Sequence, residues 1–182
     1  MNIATIGRGN VGGGLADLWE QAGHEVTRLG KEGGDVSEAE VVLVAVPGGA
    51  IEAALDNVRG LEGKTGIDAT NLFGANRPSG FQSNAEFVKS RTNGPTAKSF
   101  NVNSARLYGE LRNARSTPGN LWTGDEEARE VVEQLNRDAG YEPLHGGPLE
   151  NARTQEDFLA IWGGISKEIG PFFYRMASPA EL

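Results

Sequence analysis

The chain has 182 residues, no cysteine, and 25 acidic against 17 basic side chains, so its formal net charge is -8. This length allows one core with an appendage, and the lack of cysteine excludes disulfides, thiolate nucleophiles and cysteine-ligated metals. The acidic balance argues against a nucleic-acid partner, which would need a basic face. No secretory leader opens the chain and no apolar run is long enough to span a membrane, so we expect a cytoplasmic protein with no membrane partner.

A glycine-rich turn stands between a short apolar run and a helical pattern at the start of the chain. Gly7, Gly9 and Gly12 have the spacing G-x-G-x-x-G, directly after the apolar run of residues 2–6. In a strand-turn-helix context the first glycine makes the turn, the second lets the backbone approach a diphosphate, and the third lets the helix pack closely. The amides and positive dipole end of the helix would face the phosphates. The pattern predicts a dinucleotide site, against the alternative of an ordinary glycine turn.

Basic residues lie at the end of the predicted second strand, residues 24–29. In dinucleotide-binding folds the residues at this position determine whether NAD or NADP is bound. An NAD site has Asp or Glu about 20 residues past the glycines, to accept hydrogen bonds from the ribose. Here the chain has Arg28, Gly30 and Lys31, and a cation pairs with a 2'-phosphate that a carboxylate would repel. We therefore predict NADP(H), with Lys31 first, Arg28 second and Arg8 third as the phosphate partner. Arg8 could instead stack on adenine, and the alternative for all three is a solvated surface cation.

The next strand is predicted over residues 41–46, a continuous apolar run typical of a parallel strand buried on both faces. The segment before it is short and polar, so we expect the third strand of the standard order to be missing. Ligands of open α/β sheets lie beyond the carboxyl ends of the strands. Val46, Pro47 and Gly48 should therefore border the cofactor, although Pro47 would also serve simply to end the strand.

Two later strands, residues 65–71 and 96–101, are predicted to end at the same edge of the sheet. Turn or capping roles are the alternative for the polar residues at the end of the first one. We expect these ends to face the nicotinamide through Thr70 and Asn71, and the substrate through Ser99 and Asn101.

A smaller β-α-β unit is predicted over residues 120–145, with its helix capped by Asp125. We expect it to extend the same sheet, which gives an α/β fold: a Rossmann-type, doubly wound, mostly parallel sheet with a small β-α-β extension and a long C-terminal helix. The whole chain would be a single NADP-binding domain, with a core over residues 1–102 and the extension over 103–182. His145 ends the last strand, where contact with substrate is weighed against a structural role, and His24 is interpreted as structural.

The last predicted element is a helix over residues 151–176. Gly163, Gly164 and Pro171 are expected to bend it. The favoured interpretation of its apolar residues is plain core, and a homodimer seam is the alternative. These residues are Phe158, Ile161, Trp162, Ile165, Ile169, Phe172, Phe173 and Met176.

With these elements in place, the chain resembles the coenzyme F-420-dependent NADP oxidoreductases, and is similar to the NADPH-binding part of membrane metalloreductases. The shared motifs are Ile6-Gly7-Arg8-Gly9-Asn10-Val11-Gly12, Gly23-His24-Glu25-Val26, Val44-Ala45-Val46-Pro47, Ile67-Asp68-Ala69-Thr70-Asn71, Lys98-Ser99-Phe100-Asn101 and Gly147-Pro148-Leu149-Glu150-Asn151-Ala152-Arg153. The resemblance implies that Asn10 and Val11 belong to the diphosphate loop, that Lys31 holds the 2'-phosphate, and that Pro47 and Asn71 lie at the nicotinamide edge.

Two departures from that family's pattern stand out. Gly30-Lys31 replaces a Ser-Arg pair, which keeps the charge but loses a hydroxyl and a bidentate fork. Arg8 replaces a small residue of the glycine loop, where it could crowd the site or add a phosphate contact.

The leading hypothesis is an enzyme that passes hydride between NADP and a small-molecule redox acceptor such as coenzyme F-420, a flavin or a related ring. The cofactors perform this chemistry, so the absence of an identifiable general acid does not weigh against it. One alternative is an imine or carbonyl reductase of the pyrroline carboxylate reductase type, which would need a proton donor. The other is a non-catalytic NADP(H)-binding sensor.

Overall fold

A seven-stranded sheet forms the centre of the fold in the computed structural model, which describes residues 1–181. The strands in chain order are β1 (Asn2–Ile6), β2 (Glu25–Leu29), β3 (Gly34–Asp35), β4 (Val41–Val44), β5 (Val58–Arg59), β6 (Thr65–Asp68), β7 (Thr96–Ser99), β8 (Gly119–Gly124) and β9 (Glu142–His145). The sheet has the order β2-β1-β4-β6-β7-β8-β9. Its first five strands are parallel, β8 is antiparallel to β7, and β9 is parallel to β8. The predicted mostly parallel sheet, extended by a β-α-β unit, is confirmed.

Helices cover both faces of this sheet. They are α1 (Asn10–Gln21), α2 (Ile51–Asp56), α3 (Asn84–Thr92), α4 (Arg129–Asp138) and α5 (Ala152–Ile169), with a long 3-10 segment over Ala105–Asn113. Trp19 of α1 and Leu135 of α4 belong to one apolar cluster, while Leu55 of α2 and Val88 of α3 belong to the other. This division is the doubly wound arrangement that the sequence predicts. None of the helices within residues 1–181 is long and apolar enough to cross a bilayer.

The strand predicted to be missing is absent from the described part of the main sheet. The two-residue strand β3 pairs with β5 in a separate small sheet, so β2 is left as the edge of the main one. The strand β4 lies inside the sheet between β1 and β6, and all four of its residues are buried. The five parallel strands all end on the same side of the sheet. The loops that carry the predicted site residues therefore lie together at the carboxyl ends of these strands.

Asp125 does not cap a helix, contrary to the prediction. The helix α4 begins only at Arg129, after a 3-10 turn, and no side chain caps that turn. The carboxylate of Asp125 instead accepts a hydrogen bond from the Thr96 amide at 2.8 Å and one from Lys89 Nζ at 2.7 Å. Asp125 thus links the start of β7 to α3, and both of its partners are distant from it in the sequence.

The C-terminal helix is shorter than predicted and is not bent by proline. Helix α5 is continuous through Gly163 and Gly164 and ends at Ile169, because Gly170 has a φ of 81°, which a residue with a side chain rarely adopts. Pro171 therefore lies beyond the helix. The chain then returns towards β8, where Tyr174 accepts a hydrogen bond from the Leu121 amide at 2.7 Å. Burial raises the pKa of this tyrosine to about 12.

The apolar residues of the C-terminal segment are split between two environments. Phe158, Phe172 and Tyr174 place their rings 4.7 to 6.0 Å from the ring of Trp162. Phe173 packs against the main apolar cluster, as the plain-core interpretation predicts. The remaining four side chains face outward, so that interpretation is wrong for them. Their exposed fractions are 55% for Ile161, 39% for Ile165, 69% for Ile169 and 54% for Met176.

Candidate functional site

The turn after β1 has a backbone conformation that requires glycine. Gly7 has a φ of 105° and donates its amide to the Leu29 carbonyl at 3.0 Å. A Cβ on Gly7 would overlap the Ala45 carbonyl oxygen, and a Cβ on Gly12 would overlap the carbonyl oxygen of Gly7. The chain's own packing therefore demands two of the three glycines of the motif.

Gly9 differs, because the chain itself leaves its surroundings empty. A Cβ there would have no described atom within 4 Å, and its φ of -78° suits any residue. Gly9 precedes Asn10, the first residue of α1, and no side chain caps this helix. The first amides of a helix have no partner within it, so α1 presents free donors beside open space. This is the geometry that suits a bound diphosphate.

A cavity of about 650 Å³ lies on the β2 side of this turn, and we name it the β2 cavity. The glycine turn, the residues that follow β2, and the loop after β4 with helix α2 enclose it. Its lining residues are Gly7, Arg8, Gly9, Gly30, Lys31, Glu32, Ala45, Val46, Pro47, Ala50, Ala53, Ala54 and Asn57.

Only two of the three predicted cations reach the β2 cavity. Lys31 and Arg8 line it, and Lys31 is exposed with no ion pair among the described side chains. Arg28 does not line it and instead contacts Glu20 at 2.6 Å and Asp17 at 2.8 Å on helix α1. Hydrogen bonds to these two carboxylates raise the pKa of Arg28. Its predicted role as a phosphate partner gains no support, because its charge is already matched by α1.

Glu32 is a lining residue that sequence reasoning missed. Its carboxylate lies 3.5 Å from the guanidinium of Arg8 within the cavity. It belongs to the short polar segment before β4, and its place three residues after β2 is the available signal.

A second cavity, of about 320 Å³, lies on the other side of α1, and we name it the Asn71 cavity. Val11 borders it, so it adjoins the same helix end as the β2 cavity. Asn71 donates to the Asn101 carbonyl at 2.7 Å, and Asn101 donates to Asn71 Oδ1 at 3.1 Å. Gln155 of α5 donates to Asn101 Oδ1 at 2.7 Å, which holds the pair in place. The structure thus brings Asn71 and Asn101 together, at the ends of β6 and β7.

Aromatic side chains form much of the remaining wall of the Asn71 cavity. Phe100 comes from the end of β7, Trp162 from α5, Phe172 from the returning tail, and Phe73 from the loop after β6. Phe73 is 85% exposed and has a φ of 46°, so its ring stands at the rim. A neighbouring cavity of about 500 Å³ continues past this ring towards Arg77 and shares part of the lining. The walls suit a flat, largely apolar ring.

A buried ion cluster fixes α5 over the strand ends. Lys98 is fully buried, and its Nζ donates to Asp68 at 2.8 Å, to Glu156 at 2.9 Å and to the Thr70 carbonyl at 2.6 Å. These residues join β6, β7 and the first half of α5, whose second half borders the Asn71 cavity. Neither Lys98 nor Glu156 is predicted as a site residue, and the signal for Lys98 is its place in a buried strand beside the buried Asp68.

Several predicted site residues lie beneath or away from the cavities. Thr70 is buried and accepts a hydrogen bond from Asn84 at 2.8 Å, while Gly48 is packed against the Asn71 backbone. Ser99 is buried and accepts from Asn120 at 2.9 Å, so its hydroxyl belongs to the polar cluster under the sheet edge. These three positions support the loops and do not line the three cavities.

The two histidines have structural surroundings. His24 contacts Asp138 of α4 at 2.8 Å, in agreement with its structural interpretation. His145 lies on β9, two strands beyond β7, where its ring stacks on Trp122 at 4.2 Å and contacts Arg129 at 2.9 Å. It lines neither the β2 cavity nor the Asn71 cavity, so the geometry offers no support for a substrate contact.

No protein-family model and no curated protein matches the chain. Among solved structures it is similar to a candidate F-420-dependent NADP-reductase of Arthrobacter sp. FB24, with 21% identity, a TM-score of 0.77, and coverage of 98% of this chain and 100% of that one. It is also similar to a reductive aminase from Aspergillus terreus in complex with NADPH and ethyl levulinate, with 15% identity, a TM-score of 0.65, and coverage of 92% and 62%.

A third similar structure is an imine reductase from Pseudomonas sp., with 18% identity, a TM-score of 0.64, and coverage of 92% of this chain and 62% of that one. The chain thus spans less than two thirds of the aminase and the imine reductase. Together these likenesses establish the Rossmann-type fold, and the first of them agrees over the full length with the resemblance drawn from the motifs.

Proposed function

We propose that this protein is an NADP(H)-dependent oxidoreductase that transfers hydride between the nicotinamide and a planar redox acceptor. The observation that carries the proposal is the placement of the β2 cavity and the Asn71 cavity on either side of the uncapped start of α1. A dinucleotide is long enough to lie across this helix end with one half in each cavity. The NADPH-containing structure with a similar fold supports the choice of ligand.

Each part of the dinucleotide has partners in this arrangement. The backbone of the glycine turn, including the amides of Asn10 and Val11, would hold the diphosphate. Arg8 and Lys31 would hold the 2'-phosphate in the β2 cavity, which Val46 and Pro47 border. The amides of Asn71 and Asn101 would lie beside the nicotinamide.

The acceptor would occupy the aromatic part of the Asn71 cavity. When bound, NADPH supplies the hydride, and the protein's contribution is to hold two rings in contact and to exclude water. Trp162, Phe100 and Phe172 provide flat apolar surface for a deazaflavin or flavin ring. Such rings accept hydride without an acidic side chain at the reacting atom, which suits a wall made of aromatic and amide groups.

The proposal is tested by mixing the purified protein with NADPH and a panel of acceptors under anaerobic conditions. We expect NADPH to be oxidised when coenzyme F-420 or FMN is present. The loss of NADPH absorbance near 340 nm measures this oxidation. Oxidation only with imines or ketones would instead identify an imine or carbonyl reductase. Tight NADPH binding without oxidation by any acceptor, including ferric chelates and quinones, would identify a sensor.

Lys31→Glu should weaken NADPH binding by at least about tenfold, because it replaces a cation with a carboxylate beside the 2'-phosphate. NADH lacks that phosphate, so its dissociation constant should change by less than about threefold. Fluorescence titration with both coenzymes measures the two constants. Lys64→Glu, on a lysine outside the β2 cavity, is the matched control. Equal losses for the two coenzymes would remove Lys31 from this role.

We also propose that a second copy of the chain covers the exposed face of α5. Ile161, Ile165 and Ile169 recur every four residues and are all exposed, which forms an apolar stripe along the helix. Sedimentation should show a dimer that Ile165→Glu converts to a monomer, whereas Lys167→Glu, on a charged residue of the same helix, should leave the dimer intact. A native chain that stays monomeric at high concentration would refute this proposal.

A further inference from the structure

Arg8 and Glu32 form an ion pair that crosses the end of β2. Arg8 Nη1 lies 3.5 Å from Glu32 Oε1, and the two side chains are 62% and 64% exposed. A Cβ on Gly30 would lie 2.6 Å from Glu32 Oε2 and 2.8 Å from Arg8 Cζ. The pair thus occupies the space that any side chain at position 30 would take, and glycine at that position leaves room for it.

This pair belongs to the β2 cavity, which Lys31 also lines. A carboxylate therefore stands among the cations that are proposed to receive the 2'-phosphate. The negative charge of Glu32 repels a phosphate dianion. The same carboxylate forms an ion pair with Arg8, one of the two cations. The same carboxylate could accept a hydrogen bond from the 2'-hydroxyl of an unphosphorylated ribose, as acidic residues do in NAD sites.

We propose that Glu32 is a coenzyme-selectivity residue that competes with the 2'-phosphate for Arg8. This inference rests on the proposed function, because it assumes that a nicotinamide dinucleotide occupies the β2 cavity. Exposed ion pairs are weak, so a phosphate with two nearby cations displaces Glu32 from Arg8. The displacement costs part of the binding free energy of NADPH, while NADH gains a hydrogen bond. Glu32 therefore narrows the preference for NADPH that Arg8 and Lys31 establish.

Glu32→Gln tests this directly, because it removes the charge and keeps the shape of the side chain. At low ionic strength, where exposed charges are least screened, we expect NADPH to bind about fivefold more tightly and NADH about twofold more weakly. The ratio of the two dissociation constants should therefore shift by about tenfold towards NADPH. Glu38→Gln, on an exposed carboxylate outside the β2 cavity, makes the same change in net charge and should alter neither constant.

Glu32 could weaken NADPH binding by competing with the 2'-phosphate for Arg8 or by repelling the phosphate directly. The Arg8→Met substitution separates these two mechanisms. If Glu32 acts by holding Arg8, the gain in NADPH affinity from Glu32→Gln should fall to less than about twofold in the Arg8→Met background. An undiminished gain in that background would overturn the competition.

An unchanged ratio of the NADPH and NADH dissociation constants in Glu32→Gln would overturn the selectivity role while the proposed function stands. If the native chain and all variants fail to bind either coenzyme, the proposed function itself fails. The two failures are therefore distinguished within one set of titrations.

Discussion

Gly9→Val should weaken NADPH binding by at least about 100-fold while leaving the midpoint of thermal unfolding unchanged. The reason is that no described atom lies within 4 Å of a Cβ placed on Gly9, and its backbone angles suit valine. The added methyl groups would instead project into the space in front of α1, where the diphosphate is proposed to lie. Calorimetric titration with NADPH and a thermal melt of the free protein measure the two quantities.

A graded series at this position strengthens the test. Gly9→Ala should give an intermediate loss of affinity, since one methyl group fills less of the same space. Gly109→Val is the matched control, because a Cβ on Gly109 also meets no atom within 4 Å but lies outside both cavities. A Gly9→Val variant that binds NADPH normally would show that the diphosphate does not approach this turn.

Lys98→Met should lower the free energy of unfolding by about 3–5 kcal/mol, the largest stability effect that we expect from a single substitution outside the glycine turn. Lys98 Nζ is fully buried between Asp68 and Glu156, and methionine of similar length cannot donate to either. Asp68 would then lose its cation, and Glu156 would keep only Arg77 at 3.6 Å. An uncompensated buried carboxylate costs free energy that an exposed one does not. Urea unfolding of the native protein and the variant, analysed with the same m-value for both, measures the change in the free energy of unfolding.

Lys89→Met provides the matched control for this loss. Lys89 pairs with Asp125 at 2.7 Å but is 47% exposed, so its removal should cost less than about 1 kcal/mol. A loss of that small size in Lys98→Met would show that the buried cluster does not hold α5 on the sheet. The Lys98→Met variant should also bind the acceptor less well, since the second half of α5 forms part of the Asn71 cavity.

The sequence predicts the glycine turn and the positions of the main parallel strands because both depend on local patterns. The spacing of Gly7, Gly9 and Gly12 sets the turn, and continuous apolar runs mark strands such as β4 that are buried on both faces. The positions of Lys31 and Asn71 follow from these elements, since both residues lie within three residues of the end of a parallel strand.

The environment of Arg28 could not be predicted in this way. Whether a strand residue faces a helix or a cavity depends on how α1 lies across β2, and Glu20 and Asp17 take up the charge of Arg28 only through that packing. The surroundings of Ser99 and His145 depend similarly on β8, which is antiparallel to β7. The segment between these two strands, which contains the 3-10 stretch of Ala105–Asn113, gives no local signal for that direction.

The C-terminal segment shows a further limit of sequence patterns. Helical spacing continues past Ile169, yet Gly170 ends the helix and the tail returns so that Tyr174 can reach β8. The contact joins residues about fifty positions apart, which periodicity cannot reveal. The outward direction of Ile165 and Ile169 likewise depends on what α5 packs against.

The central claim is that the start of α1 and the cations beside β2 select NADP(H). Calorimetric titration of the native protein with NADPH and with NADH tests this claim most directly. We expect saturable binding of both, with NADPH bound at least about tenfold more tightly, since only it carries the 2'-phosphate that Arg8 and Lys31 can contact. No saturable heat with either coenzyme, or a clear preference for NADH, would contradict the account.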